Sequence, residues 1–123
     1  MATRPQPAGD APPYSHLLAD FAGIAPATLR DAPFVSGLMI AAAGAAGFSA
    51  DGAPTVRILP HDALAALLTI DEGCHMAVHT FPERGILLLD VLAPVTLDAR
   101  KALDVFVRRL PGARVHSEQL ARG

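Results

Sequence analysis

The one cysteine of the chain, Cys74, lies in the run Asp71-Glu72-Gly73-Cys74-His75-Met76-Ala77-Val78-His79-Thr80-Phe81-Pro82-Glu83, which also holds two of the five histidines. A thiolate is a stronger nucleophile than a hydroxyl, and a neutral imidazole shuttles protons near physiological pH. Cys74 is therefore a candidate nucleophile and His79 a candidate proton shuttle. Gly73 leaves the carbonyl before the thiol unhindered and admits backbone conformations closed to other residues. The competing roles are ordinary ones: a lone cysteine is more often a packing residue, and a strand histidine is more often held by a backbone partner. His75 is read as structural.

Strand geometry argues against a metal site on the two histidines. Side chains alternate along residues 75–81, so His75, Ala77, His79 and Phe81 share one face. At roughly 3.3 Å per residue the histidines stand about 13 Å apart. Two ligands of one ion must lie within roughly 4 Å of each other. The spacing would suit a helix, which Pro82 and the alternation oppose.

The elements around this run must position it. Residues 14–21 read as a first strand, and Gly23 to Arg30 as a connection broken by Pro26. Phe34, Leu38, Ala41, Ala42 and Ala45 recur at helical spacing, with Pro33 near the start and Gly47 just past the end. Residues 55–59 form a short strand stopped by Pro60. The apolar residues 64–70 fit a strand or a helix by periodicity; a turn and a strand follow at once, which favours strand. Residues 86–92 are the hairpin partner of 75–81 across Pro82-Glu83-Arg84-Gly85. Thr96 is the expected N-cap of a second helix to Leu110, with Ala99, Ala102, Leu103, Phe106 and Leu110 as its apolar stripe. Residues 113–119 close the chain as a last strand. The order β-α-β-β-β-β-α-β predicts an α+β two-layer sandwich, a mainly antiparallel sheet with two helices on one face.

The chain has 123 residues, enough for one domain, and residues 1–13, with four prolines, read as a disordered arm before a single domain at 14–123. A net charge of −2 argues against a general nucleic-acid binder. A single cysteine makes no intrachain disulfide. Signal-peptide and membrane-spanning patterns are not seen, so a cytoplasmic setting is expected. A short chain, 51% hydrophobic, favours self-association, and a homodimer is expected.

Residues 73–83 closely resemble the cleavage-site motif of the small prokaryotic S-adenosylmethionine decarboxylases, E-S-H-x-x-x-H-T-W-P-E. Ser15-His16-Leu17-Leu18-Ala19-Asp20-Phe21-Ala22 is similar to the family's opening strand R-H-L-x-A-E-F-Y, and the residues from Ala41 to Gly47 to its small-residue helix end. Gly85-Ile86-Leu87-Leu88-Leu89-Asp90-Val91-Leu92-Ala93-Pro94 is similar to G-Y-A-A-x-D-x-F-T-C. The resemblance spans about residues 14–120 in element order and is specific over 74–90.

The resemblance implies pyruvoyl-dependent decarboxylation linked to polyamine (spermidine) biosynthesis, on S-adenosylmethionine or, in a diverged pocket, a basic amino acid. It makes Gly73–Cys74 the cleavage site, Cys74 the pyruvoyl precursor, His79 the processing histidine, and Phe81 and Glu83 the nucleoside-contacting pair. Where the family has Ser, Glu and a catalytic Cys, this chain has Cys74, Gly73 and Pro94. The family's Val-Ser-Gly before the cleavage strand has no counterpart. These departures predict a chain that stays mostly uncleaved. The alternative is an unprocessed, non-catalytic paralogue that binds a nucleoside ligand or regulates a partner decarboxylase.

Overall fold

The computed structural model describes residues 11–123. Six strands form one antiparallel sheet: β1 (Tyr14–Ala22), β2 (Thr55–Ile58), β3 (Leu64–Thr69), β4 (His75–Phe81), β5 (Ile86–Pro94) and β6 (Arg114–Arg122), in the order β2-β3-β4-β5-β1-β6. The long helices α2 (Ala32–Ala46) and α3 (Ala99–Arg109) pack against each other and cover one face. This is the expected two-layer α+β sandwich, with one short addition, the single-turn helix α1 (Pro26–Leu29). Most of the expected arm lies outside the described residues. Its last residue, Pro13, is tied down: its carbonyl accepts from the Val95 N–H at 2.8 Å.

Local chemistry explains the helix ends. The Asp31 side chain accepts from the Phe34 N–H at 3.0 Å, capping α2, and Pro33 sits in the first turn, where its missing N–H costs no hydrogen bond. Gly47 ends α2 in the left-handed conformation at φ 74°, open to glycine without a Cβ penalty. Pro26 starts α1 instead of breaking the connection, for the same reason. The cap of α3 is Asp98, not Thr96. The Asp98 carboxylate accepts from the Arg100 N–H at 3.0 Å, while the turn closed by Leu97 N–H to the Pro94 carbonyl places Thr96 ahead of the helix.

Alternation decides which face β1, β3, β4 and β5 bury. On the helix side, Leu17, Ala19 and Phe21 of β1, Met76 and Val78 of β4 and Leu87, Leu89 and Val91 of β5 are buried. They meet Val35, Leu38, Met39 and Ala42 of α2 and Ala102, Val105 and Phe106 of α3. The Phe21 and Phe106 rings lie 6.1 Å apart. Each such Leu or Phe contributes on the order of 1.5–3 kcal/mol by leaving water. Thr80, also on this side, is buried because both functions of its hydroxyl are used: it accepts from the Leu64 N–H at 2.9 Å and donates to the Leu29 carbonyl at 2.8 Å.

The final strand runs to Arg122, three residues beyond the expected end, because β6 pairs with β1 over its whole length, from Ala22↔Arg114 to Tyr14↔Arg122. The other sheet face carries no helix. It presents Leu18, Leu67, Leu88, Leu92 and Leu120 among Asp90 and the three histidines His16, His75 and His79. Among the described residues, no helix is long and apolar enough to cross a membrane.

Candidate active site

Asp71–Gly73 form a tight 3-10 turn between β3 and β4. Ile70 donates to the Cys74 carbonyl at 2.9 Å, and Cys74 donates to the Asp71 carbonyl at 3.0 Å. The Asp71 carboxylate accepts from the Ser49 N–H at 2.9 Å, fixing the turn to the end of α2. Glu72 and Gly73 are left-handed, at φ 57° and 75°. Glycine adopts that conformation freely, while glutamate pays a steric cost there. The Tyr14 hydroxyl donates to Glu72 Oε1 at 3.1 Å, which helps hold the residue in place. The bond that the sequence marks for cleavage therefore sits directly after a strained two-residue left-handed turn.

The Cys74 side chain is buried, and burial pushes its thiol pKa up, reinforced by the nearby carboxylates Glu72 and Asp71. Both effects disfavour the thiolate. The Tyr14 phenol is likewise raised, through its hydrogen bond to Glu72 and the charge of that carboxylate. A cavity of about 350 Å³ opens on the Gly73–Cys74 bond, lined by Tyr14, Glu72, Leu92, Arg122 and Gly123 as well as by those two residues.

A second cavity, about 180 Å³, lies at the other end of β4. Phe81 and Glu83 line it together with Pro60, His61, Ala63, Pro82 and Arg84. His61 Nδ1 stands 3.5 Å from Glu83 Oε1. His61 and its neighbour Asp62 are both left-handed, at φ 62° and 59°, so this cavity too borders a strained turn. The Arg30 guanidinium donates to the His61 carbonyl at 3.1 Å.

The structure brings Phe81 and Glu83 together and keeps both from Cys74. Seven residues of extended chain separate Cys74 from Phe81, about 23 Å at roughly 3.3 Å per residue. His79 lies five residues on, about 16 Å by the same rise. It is exposed on the open face, paired across the sheet with Ala65 and Leu88. His75 is half-buried on that face, beside Thr69 and Leu92.

Two residues inside the sequence motifs received no role from sequence and acquire one here. His16 Nε2 and Asp90 Oδ1 are 3.0 Å apart on the open face, and Arg122 Nη1 is 3.2 Å from His16 Nδ1. Guanidinium only donates, so Nδ1 accepts and the ring proton sits on Nε2, where it donates to Asp90. Tyr14, Glu72, Arg122 and His61 were not singled out either. Their partners lie far away in sequence, and no local spacing signals them.

The model of the S-adenosylmethionine decarboxylase family matches residues 15–123. The chain belongs to that family. It is 31% identical over 109 residues to the S-adenosylmethionine decarboxylase proenzyme of Brevibacillus brevis, covering 88% of this chain and 80% of the relative. It is 24% identical over 109 residues to the proenzyme of Thermococcus onnurineus, covering 88% and 76%. The fold matches the crystal structure of the adenosylmethionine decarboxylase from Aquifex aeolicus with a TM-score of 0.81 over 93% of each chain, at 21% identity. Within the decarboxylase family frame, the residue at the end of β5 is Pro94, buried and closing the strand against Tyr14. It has neither thiol nor N–H, so it supplies no acid to this site.

Proposed function

We propose that this chain is a pyruvoyl-type decarboxylase of S-adenosylmethionine, feeding polyamine synthesis, that matures slowly by self-cleavage at Gly73–Cys74 and works as a homodimer. The observation that carries the reading is the cavity opening on the Gly73–Cys74 bond in a chain of this family. Cys74 is the precursor of the pyruvoyl group, and an unhindered Gly73 in a left-handed turn suits attack on its carbonyl. The group, once formed, supplies a ketone that serves as electron sink for loss of carbon dioxide. The chain's own residues bind and orient the substrate: Phe81 offers an aromatic face to the adenine and Glu83 a carboxylate to the ribose hydroxyls. A basic amino acid is the rival substrate, and competition between the two in a binding assay separates them. A reducing cytoplasm suits the single free thiol.

The dimer follows from distance. No ligand of nucleoside size spans the roughly 23 Å from Cys74 to Phe81 along one β4. Two copies stacked through their open, leucine-rich faces, with the two-fold axis perpendicular to β4, bring Cys74 of one beside the partner's Phe81 and Glu83. The same operation carries the partner's His79 toward the cleavage site, where the single chain leaves it about 16 Å away.

Intact-mass spectrometry tests maturation. Mostly uncleaved protein is expected at pH 7, with a fragment beginning at a carbonyl-bearing residue 74 growing in at pH 9. A single uncut species at both pH values rejects the decarboxylase reading. It would leave the unprocessed paralogue, which the buried, protonated thiol and Pro94 favour and which binds a nucleoside or regulates a partner decarboxylase.

A further inference from the structure

Self-cleavage through a cysteine needs a place for negative charge. The Cys74 thiolate attacks the Gly73 carbonyl carbon, the Gly73–Cys74 C–N bond breaks, and the nitrogen takes a proton, which leaves a thioester. A base then removes the Cα proton of residue 74. The Cβ–Sγ bond breaks with its electron pair going to sulfur, leaving a thiocarboxylate on Gly73 and a dehydroalanine at position 74. That residue tautomerises, takes up one water and loses ammonia to become the pyruvoyl group. The negative charge of the elimination therefore develops on Gly73, in the cavity that Gly73 and Cys74 share with Glu72, Tyr14, Leu92, Arg122 and Gly123.

Of these residues, Glu72 and Tyr14 repel or ignore an anion. Glu72 is a carboxylate, and the Tyr14 hydroxyl already donates to it. Arg122 is the cation of the cavity. Among the described residues, no carboxylate lies within salt-bridge distance of it; the close contacts to carboxylates found there are those of His16 with Asp90, His61 with Glu83 and His116 with Glu118. One guanidinium N–H is spent on His16 Nδ1 at 3.2 Å, and His16 is in turn anchored to Asp90 Oδ1 at 3.0 Å. The chain Asp90–His16–Arg122 thus crosses three adjacent strands, β5, β1 and β6, and holds Arg122 in the cavity lining, with its other guanidinium donors unspent among the described residues.

We propose that Arg122 is the anion-stabilising residue of self-cleavage, holding the thiocarboxylate that elimination leaves on Gly73, with His16 and Asp90 as its positioning residues. The role rests on the decarboxylase reading and adds to it the element that Cys74 and His79 do not supply. A charge-assisted hydrogen bond to a leaving anion is strong. Losing one such donor from an oxyanion site slows reactions by about 10²–10³.

The test follows cleavage at pH 9 by intact mass in the parent chain, in Cys74→Ser and in both with Arg122→Met added. Arg122 is exposed at the sheet edge, so its replacement leaves the core intact. Hydroxylamine separates the steps, since it cuts a stalled thioester or ester, and the sequence holds no asparagine to give a competing Asn-Gly cut. The expected result is pyruvoyl formation about a hundredfold slower in Arg122→Met, a larger hydroxylamine-sensitive fraction, and partial rescue by Arg122→Lys or by added guanidinium ion. Equal rates with and without Arg122 overturn the inference and leave the decarboxylase reading standing. Slower cleavage with neither a stalled intermediate nor rescue also overturns it, because a structural role explains that outcome. No cleavage in either parent or Cys74→Ser overturns both.

Discussion

Protonation governs Cys74. Its thiol pKa is raised by burial and then by Glu72 and Asp71, so the thiolate fraction at neutral pH falls below that of a free cysteine. Below the raised pKa, thiolate increases about tenfold per pH unit. The cleavage rate is therefore expected to climb with pH through neutrality and to flatten only above the ordinary thiol range, as a rate–pH profile by intact mass will show. Glu72→Gln removes one of the charges raising that pKa. It should shift the profile to lower pH. Serine at position 74 is the companion case: a competent scaffold regains cleavage, and an uncut Cys74→Ser chain places the loss in the surrounding residues. At the far end of β4, Phe81→Ala and Glu83→Gln should each weaken S-adenosylmethionine binding by about tenfold in equilibrium titration, the scale of one good polar or stacking contact. Unchanged affinity in both removes the nucleoside role from this pair.

β4 is the element on which everything is strung. Its even-numbered residues Met76, Val78 and Thr80 anchor it to the helices, and its odd-numbered residues His75, Ala77, His79 and Phe81 face outward. Thr80 locks this register, because its hydroxyl joins the start of β3 to the end of α1. Thr80→Val keeps the shape but leaves the Leu64 N–H and the Leu29 carbonyl without their buried partner. A loss of about 1–3 kcal/mol in urea unfolding is expected. Asp98→Ala removes the α3 cap and should cost about 1 kcal/mol by the same measurement, whereas Thr96→Ala should cost far less. Equal losses would return the cap to Thr96.

For the whole molecule, the open sheet face is the surface that the proposed dimer would cover. Exposed apolar faces of this kind mark interaction surfaces, and here leucines from β3, β5, β1 and β6 contribute to it. Sedimentation at micromolar concentration should give a dimer. Leu88→Glu, at the centre of that face, should give a monomer that retains its fold by circular dichroism. A monomeric parent chain would refute the composite site, and so would a Leu88→Glu dimer.

Local periodicity made much of the fold legible. The alternation of residues 75–81, the apolar stripe of 99–110 and the proline and glycine signals at the ends of α2 each follow from forces acting within a few residues, so the elements could be named from the chain alone. The motif around Cys74 marked the expected cleavage bond for the same reason, since its residues are neighbours in sequence. Capping was harder to read: Thr96 and Asp98 are both good cap residues, and only the turn closed on Pro94 chose between them. Tertiary structure alone decided the rest. Tyr14 reaches Glu72 across 58 residues, His16 reaches Asp90 across 74, and Arg122 reaches His16 across 106. These meetings depend on the strand order β2-β3-β4-β5-β1-β6 and its registers, which are set by burying one face of β1, β3, β4 and β5 and, for the exposed strand β6, by its backbone ladder with β1. The same geometry separates Cys74 from His79, Phe81 and Glu83, which are close in sequence, because an extended strand gains length with every residue.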